Sequence, residues 1–146
     1  MKKAIFMTLL LCVTLSVAGT AFAQTARFEG HWRNVDEHTR GIIEINVHAH
    51  GTDVDVKAWG ACEPNPCDVG NVDAHIYAAS VDGNLATTAR AIIATYRTKF
   101  EVKTLIIQLR GNDDIFVEEY THFTDGSGRS PYVMNGNFKR HEHHDR

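Results

Sequence analysis

The sequence predicts an all-β fold: a single antiparallel up-and-down β-barrel of about eight strands, pinned by one short disulfide loop. Three observations carry this. Apolar and polar residues alternate with a period of two over most of the chain, which puts one set of side chains on each face of a strand. Short turns rich in Gly, Asp and Asn separate the runs, and short connections favour antiparallel neighbours. Eight such runs follow one another without a linker or an internal repeat, and eight antiparallel strands suffice to close a sheet and remove its edges.

The N-terminal segment stands apart from the barrel. It reads Met1-Lys2-Lys3, an apolar run from Ala4 to Ala18, then Gly19-Thr20-Ala21-Phe22-Ala23. A basic start, a short hydrophobic core and an A-x-A end make residues 1–23 a secretory signal peptide. The run is shorter than the roughly 20 residues a membrane helix needs, so no stable membrane insertion is expected after cleavage. The expected mature chain starts at Gln24 and is periplasmic or secreted, with a β-barrel domain over 24–140 and a His-rich, disordered tail over 141–146. Loss of Lys2 and Lys3 takes the 15 basic residues to 13 against 18 acidic ones, a net charge of −5 with histidine neutral. A mildly acidic chain without a basic cluster excludes nucleic acid as the expected partner.

In the first run Phe28, Gly30, Trp32 and Asn34 share one face, and Glu29, His31 and Arg33 take the other. Trp32 is expected inside the barrel near one end, giving its indole N–H to a polar group, with Gly30 leaving room beside the ring. In the second run Ile43, Ile45, Val47 and Ala49 face the core, opposite Glu44, Asn46, His48 and His50. Val54, Val56 and Ala58 form the third. Asn71–Ser80, Arg90–Thr98, Phe100–Arg110, Ile115–Thr124 and Tyr132–Lys139 supply the rest. Ala86–Ala94 reads either as strand or as a short helix. Phe100–Arg110 and Ile115–Thr124 carry apolar groups on both faces, so one face fills the barrel and the other is covered by a loop or a partner.

Once Cys12 leaves with the signal, Cys62 and Cys67 remain. Two cysteines in an exported chain usually pair, and Pro64 and Pro66 restrict the loop between them. The alternative, half of a metal site, lacks a second cysteine pair to complete it.

His48-x-His50 projects two imidazoles from one strand face, a spacing some zinc sites use. His31, His75 and His122 are the candidates for further ligands. The phase opposite Ile45 and Val47 puts His48 and His50 towards solvent. The tail histidines His141, His143 and His144 form a second candidate chelator. Trp59, Tyr77, Tyr96, Tyr120 and Tyr132 are large amphipathic groups of the kind that line pockets and interfaces. Arg129 is a candidate ligand contact or a turn brace through Asp125, as Arg40 is through Asp36. Asp125 and Gly126 read as turn formers. No nucleophile, base and orienting group stand out: Ser80, Ser127 and Ser130 sit in turns or strand ends, and Glu118 and Glu119 point to opposite faces. No catalytic residue and no cofactor is therefore expected.

Two resemblances add to this. Phe28-Glu29-Gly30-His31-Trp32 is similar to the G-x-W opening of lipocalin- and avidin-type barrels, in which the Trp plugs one end. The ordered set Trp32-Arg33-Asn34-Val35-Asp36, Thr39-Arg40-Gly41-Ile42, Ala58-Trp59-Gly60-x-Cys62-x-Pro64-x-x-Cys67-Asp68-x-Gly70 and Tyr120-Thr121-His122-Phe123-Thr124-Asp125-Gly126-Ser127-Gly128-Arg129 resembles a family of small exported bacterial domains of unassigned activity. The chain departs from that pattern at Lys57, often His there, and Val69, often Trp. The resemblance implies one module and no particular chemistry.

The function expected from all this is an exported, non-catalytic binding module. Its target is a small amphipathic ligand in the barrel mouth, or a protein or glycan surface on the rim. The alternatives are a small extracytoplasmic enzyme using polar residues near the Trp59–Gly70 loop, and a metal-binding protein acting through its histidines.

Overall fold

The computed structural model describes residues 24–141. The expected signal segment, and His143 and His144 of the tail, lie outside the described residues. A 3-10 turn (Gln24–Arg27) leads into β1 (Gly30–Asn34), β2 (Ile42–His50), β3 (Asp53–Gly60) and β4 (Cys67–Ala78). A helical turn, α1 (Leu85–Thr88), precedes β5 (Ala89–Arg97), β6 (Glu101–Leu109), β7 (Asp114–Phe123) and β8 (Tyr132–Arg140). Each strand pairs antiparallel with its sequence neighbours, and β1 pairs with β8 to close the barrel. This is the fold class the alternation predicts.

The interior is a packed core. Trp32, Ile45, Val47, Val56, Ile92, Leu105, Ile107, Ile115 and Phe138 are all buried, with Ala58, Ala89 and Ala94 fitting between the larger groups. The described chain has two ends of different character. At one end the entering chain forms a plug. Thr25 Oγ1 donates to Leu85 O at 2.8 Å, and Phe28 N donates to Thr25 O at 3.0 Å. Trp32 is 0% exposed, and its Nε1 donates to Phe28 O at 2.8 Å. The indole thus lies where the alternation put it, with its N–H satisfied by the turn above it.

Gly30 is needed beside this ring for a reason the sequence hides. Its φ is +125°, and a Cβ there would collide with the Arg140 guanidinium. That guanidinium lies 4.2 Å above the Trp32 ring and donates to the carbonyls of Arg27 (3.0 Å) and Glu29. One cation therefore covers the aromatic face and satisfies carbonyls of the plug.

Three expectations need correction in detail. A β-bulge between Ile42 and Glu44 shifts the phase of β2, so Ile42 rather than Ile43 joins Ile45 and Val47 in the core. An inserted residue reverses which face the preceding side chains take. Ala86–Ala94 is neither all strand nor all helix: the Asn84 carboxamide oxygen accepts from Ala86 N (2.9 Å) and Thr87 N (3.3 Å), capping one helical turn before β5 begins at Ala89. β4 also starts earlier than Asn71, at Cys67, which pairs with Gly60 across the sheet. The Cys62–Cys67 disulfide, with Cα atoms 5.5 Å apart, therefore ties the loop directly to the strand pair it joins.

Emptying the Trp32 site should be severe. Trp32→Ala is expected to cost about 3–5 kcal/mol, a large share of a small domain's roughly 5–15 kcal/mol, whereas Trp32→Phe should cost less. Thermal and urea melts of the two variants check this; a Trp32→Ala protein as stable as wild type would show that the ring does not anchor the plug. Replacing both Cys62 and Cys67 with Ala should lower stability by about 1–3 kcal/mol, the scale of closing so small a loop, measured by the same melts.

Candidate functional site

The end opposite the plug is the mouth. Loops over residues 35–41, 61–66, 98–100 and 124–131 surround it. Below them the apolar core ends in a buried polar layer. Lys103 and Glu119 sit on the inward phase of β6 and β7, and Glu119 is 3% exposed. Glu119 Oε1 accepts from Lys103 Nζ, and Oε2 accepts from Ile42 N at 3.1 Å. Lys103 Nζ also donates to Thr121 Oγ1 at 3.1 Å. Asn34 Nδ2 donates to Ile42 O at 2.9 Å. Both backbone groups of Ile42, left at the bulge, are thus met by side chains, which is what buried polar groups require.

The layer is close-fitting. A Cβ on Gly41 would lie 2.7 Å from Glu119 Oε2, and one on Gly136 would lie 2.7 Å from Asn34 Nδ2. The void among Asn34, Gly41, Glu119 and Phe138 is only about 10 Å³, at the lower limit for one water. Above the layer opens a vestibule of about 330 Å³, lined among others by Arg40, Val69, Phe100, Glu101, Tyr132 and the disulfide. Arg40 makes no ion pair with Asp36 or any other described residue; Asp36 instead accepts from His38 N at 3.0 Å.

One side of the rim is built by the 124–131 turn. Arg129 pairs with Asp125 Oδ2 at 2.7 Å and donates to Ser127 Oγ at 2.8 Å. Hydrogen bonds from Ser127, then the Arg129 guanidinium, hold the Asp125 carboxyl down to about 2. Gly126 and Gly128, both at φ +71°, make the reversals that bring these groups together. The guanidinium lies 3.7 Å above the Phe123 ring, which in turn packs at 6.0 Å against Tyr132. Beside this stack, outside the barrel, Val102, Tyr120, Tyr132 and Val133 line an apolar hollow of about 490 Å³. The Tyr120 hydroxyl donates to Glu118 Oε1 at 3.3 Å, and the charge on Glu118 raises its pKa.

The expected recognition residues are therefore not one site. Tyr120 and Arg129 flank the same rim. Trp59 stands on another part of the wall, with Lys57 Nζ 5.1 Å from its ring and His31 at its edge. Tyr77 is half-exposed near the plugged end. Tyr96 is a core residue: it is buried, donates to Val56 O at 2.9 Å, and its hydroxyl is pushed far up by burial. Glu118 and Glu119 do take opposite faces. His48 and His50 are exposed on β2, while His31 lies between Glu44, Trp59 and His141. Among the described residues, no three His, Cys, Asp or Glu side chains converge as a metal centre as they stand.

Comparison with protein-family models, with curated proteins and with solved structures finds no match.

The sequence alone does not pair Lys103 with Glu119, which it sets only against Glu118, and it does not single out Phe100 or Arg140. The signal for the first two was present: each is a charged residue on the apolar phase of its strand, two positions from Leu105 and Val117 respectively. The register places Glu119 opposite Leu105 and Lys103 opposite Thr121, so the pair meets diagonally across two strands. Breaking such a pair strands the remaining charge. Glu119→Leu is expected to cost about 3–5 kcal/mol, while the Lys103→Met/Glu119→Leu double variant should recover most of it. Urea denaturation of the wild type, the two single variants Lys103→Met and Glu119→Leu, and the double variant measures the cycle; additive losses would mean the pair does not act as a unit.

Proposed function

We propose that the chain is an exported, non-catalytic binding module that engages a protein surface with the aromatic side of its mouth. The single observation that carries the reading is the clustering of exposed apolar groups there. Phe100 is 48% exposed, Tyr132 43% and Val133 54%, and Tyr120 and the Arg129–Phe123 stack adjoin them. Tyr and Arg beside an apolar hollow are the residue types that dominate protein interfaces, and a contiguous exposed apolar patch marks an interaction surface. The packed interior leaves a small molecule only the shallow vestibule, which favours recognition on the rim over enclosure. The same reading includes the signal-directed export and membership in the family of small exported domains that the sequence motifs resemble.

The test places a photo-crosslinking residue at Tyr132 in the full gene, expressed in the source organism, with Val81 near the plugged end as control. A discrete protein adduct is expected from position 132 and none from 81, on an extracytoplasmic chain whose mass begins at Gln24. Absence of a position-specific adduct overturns the binding surface; intact Met1 on a membrane-embedded species overturns export. With the crosslinker kept at position 132, a Phe100→Ala/Val133→Ala chain should abolish capture while its stability stays within about 0.5 kcal/mol of the unsubstituted chain, as for exposed positions.

A further inference from the structure

We propose that the outer wall formed by β2, β3 and β4 binds one divalent cation of the zinc type, with His50, Asp53 and His75 as its ligands. This site is remote from the mouth and does not depend on the proposed partner surface.

The cross-strand register assembles it. His50 pairs with Asp53, and His48 pairs with Asp55, across β2 and β3. Asp55 pairs with Asp73 across β3 and β4. His75 follows Ala74, the partner of Val54, and so stands beside Asp53. All six side chains are on the outward phase, because Val47, Val54 and Val56 take the inward one. Three imidazoles and three carboxylates thus occupy adjacent positions on three neighbouring strands. Five of them line an open groove of about 560 Å³, floored by Ile76 and Leu85 where the β2–β3 hairpin ends short of β4. His48 stands at its border, accepting from the Asn46 carboxamide at 3.1 Å.

Among the described residues, no cationic side chain pairs with the carboxylates in this groove. The one lysine on this face of β3, Lys57, is taken by Asp68 at 3.3 Å and by the Trp59 ring. Asp55 and Asp73 are directly opposed like charges, an arrangement that is unfavourable unless something neutralises it. Asp55 Oδ2 is in addition buried without a hydrogen-bond partner among the described residues, an uncommon state for a carboxylate oxygen. A divalent cation bound beside them offsets the repulsion between these opposed carboxylates. Mixed imidazole and carboxylate donors are zinc ligands.

As the side chains lie, the groups do not converge on one point. Convergence requires rotation of His50 and His75 about their side-chain bonds, and exposed rotamers exchange in picoseconds to nanoseconds. β2 and β4 are about 10 Å apart, two inter-strand spacings. Two imidazoles leaning inward from either side reach over Asp53 at that separation. Asp55 and Asp73 would then supply negative potential beneath the ion.

The test must separate this site from the tail. Zinc chloride is titrated calorimetrically into the full mature chain carrying His141→Ala, His143→Ala and His144→Ala. One ion per chain is expected, with shifts of the His50 and His75 imidazole resonances in NMR spectra. Adding His50→Ala or His75→Ala should weaken binding at least tenfold, and His122→Ala should not change it. These are exposed positions, and an unchanged melting temperature confirms that each variant folds. No saturable binding by the tail-substituted chain, or equal binding after His50→Ala and His75→Ala together, overturns the proposal.

Discussion

The barrel depends on one short seam. β1 has five residues, and only Trp32, Arg33 and Asn34 pair with β8. Three residue pairs are little to hold a closed sheet, and the side chains at the seam compensate for it. Trp32 fills the core directly beneath, and its cross-strand partner Arg140 covers the ring while binding the carbonyls of the plug. Asn34, at the other end of the same strand, reaches across to the Ile42 carbonyl. Each terminal residue of the seam is therefore fixed in two directions, along the sheet and into the end of the barrel.

The mouth shows how a small barrel ends without exposing its core. Its apolar layers cannot simply stop at solvent, and the 35–41 loop leaves backbone groups at a bulge. Glu119 satisfies the Ile42 amide, Lys103 neutralises Glu119, and Thr121 takes a further lysine proton. The network seals the interior with groups that tolerate water above and hydrocarbon below. It also defines what the barrel does not do: with the core filled and the floor closed, the chemistry open to partners lies on loops and outer walls. Those surfaces differ sharply in character. The β6–β8 side is apolar and aromatic, while the β2–β4 side is lined with histidine and aspartate.

The fold was legible because the first three strands carry their phase in their own sequence. Trp32, Ile45, Val47, Val54 and Val56 are each inward as the alternation requires, whereas β6 and β7, apolar on both faces, take their phase from the closed sheet. Phase fails where backbone hydrogen bonding overrides it, and the Ile42/Glu44 bulge displaces Ile43 for that reason. The sites were far less legible. Tyr96 and Tyr120 are the same residue type, and only phase relative to a closed sheet makes one a core group and the other a surface group. Lys103 and Glu119 each interrupt the apolar phase of their strand, and only the register between β6 and β7 makes them partners. Arg140 is remote in sequence from the Trp it covers. What could not be read was adjacency between strands, which depends on turn lengths and bulges together.

The up-and-down topology has a consequence for how this chain reaches its native state. Seven of the eight strand pairings join consecutive strands, and only β1–β8 brings distant segments together. Each hairpin closes a short loop, whereas pairing Asn34 with Phe138 closes one of about 100 residues, at an entropic cost of roughly 4 kcal/mol by the logarithmic length dependence. Native order is thus assembled locally and completed by one non-local event, the kind that slows folding most. Until β8 arrives, β1 and β7 are both open sheet edges, and β7 carries Phe116 and Tyr120 on its outer face. The interval before closure is when this protein is most exposed to pairing with another copy of itself. Stabilising contacts at the Trp32–Arg140 seam act on the end of that interval, slowing reopening more than they hasten the hairpins that precede it.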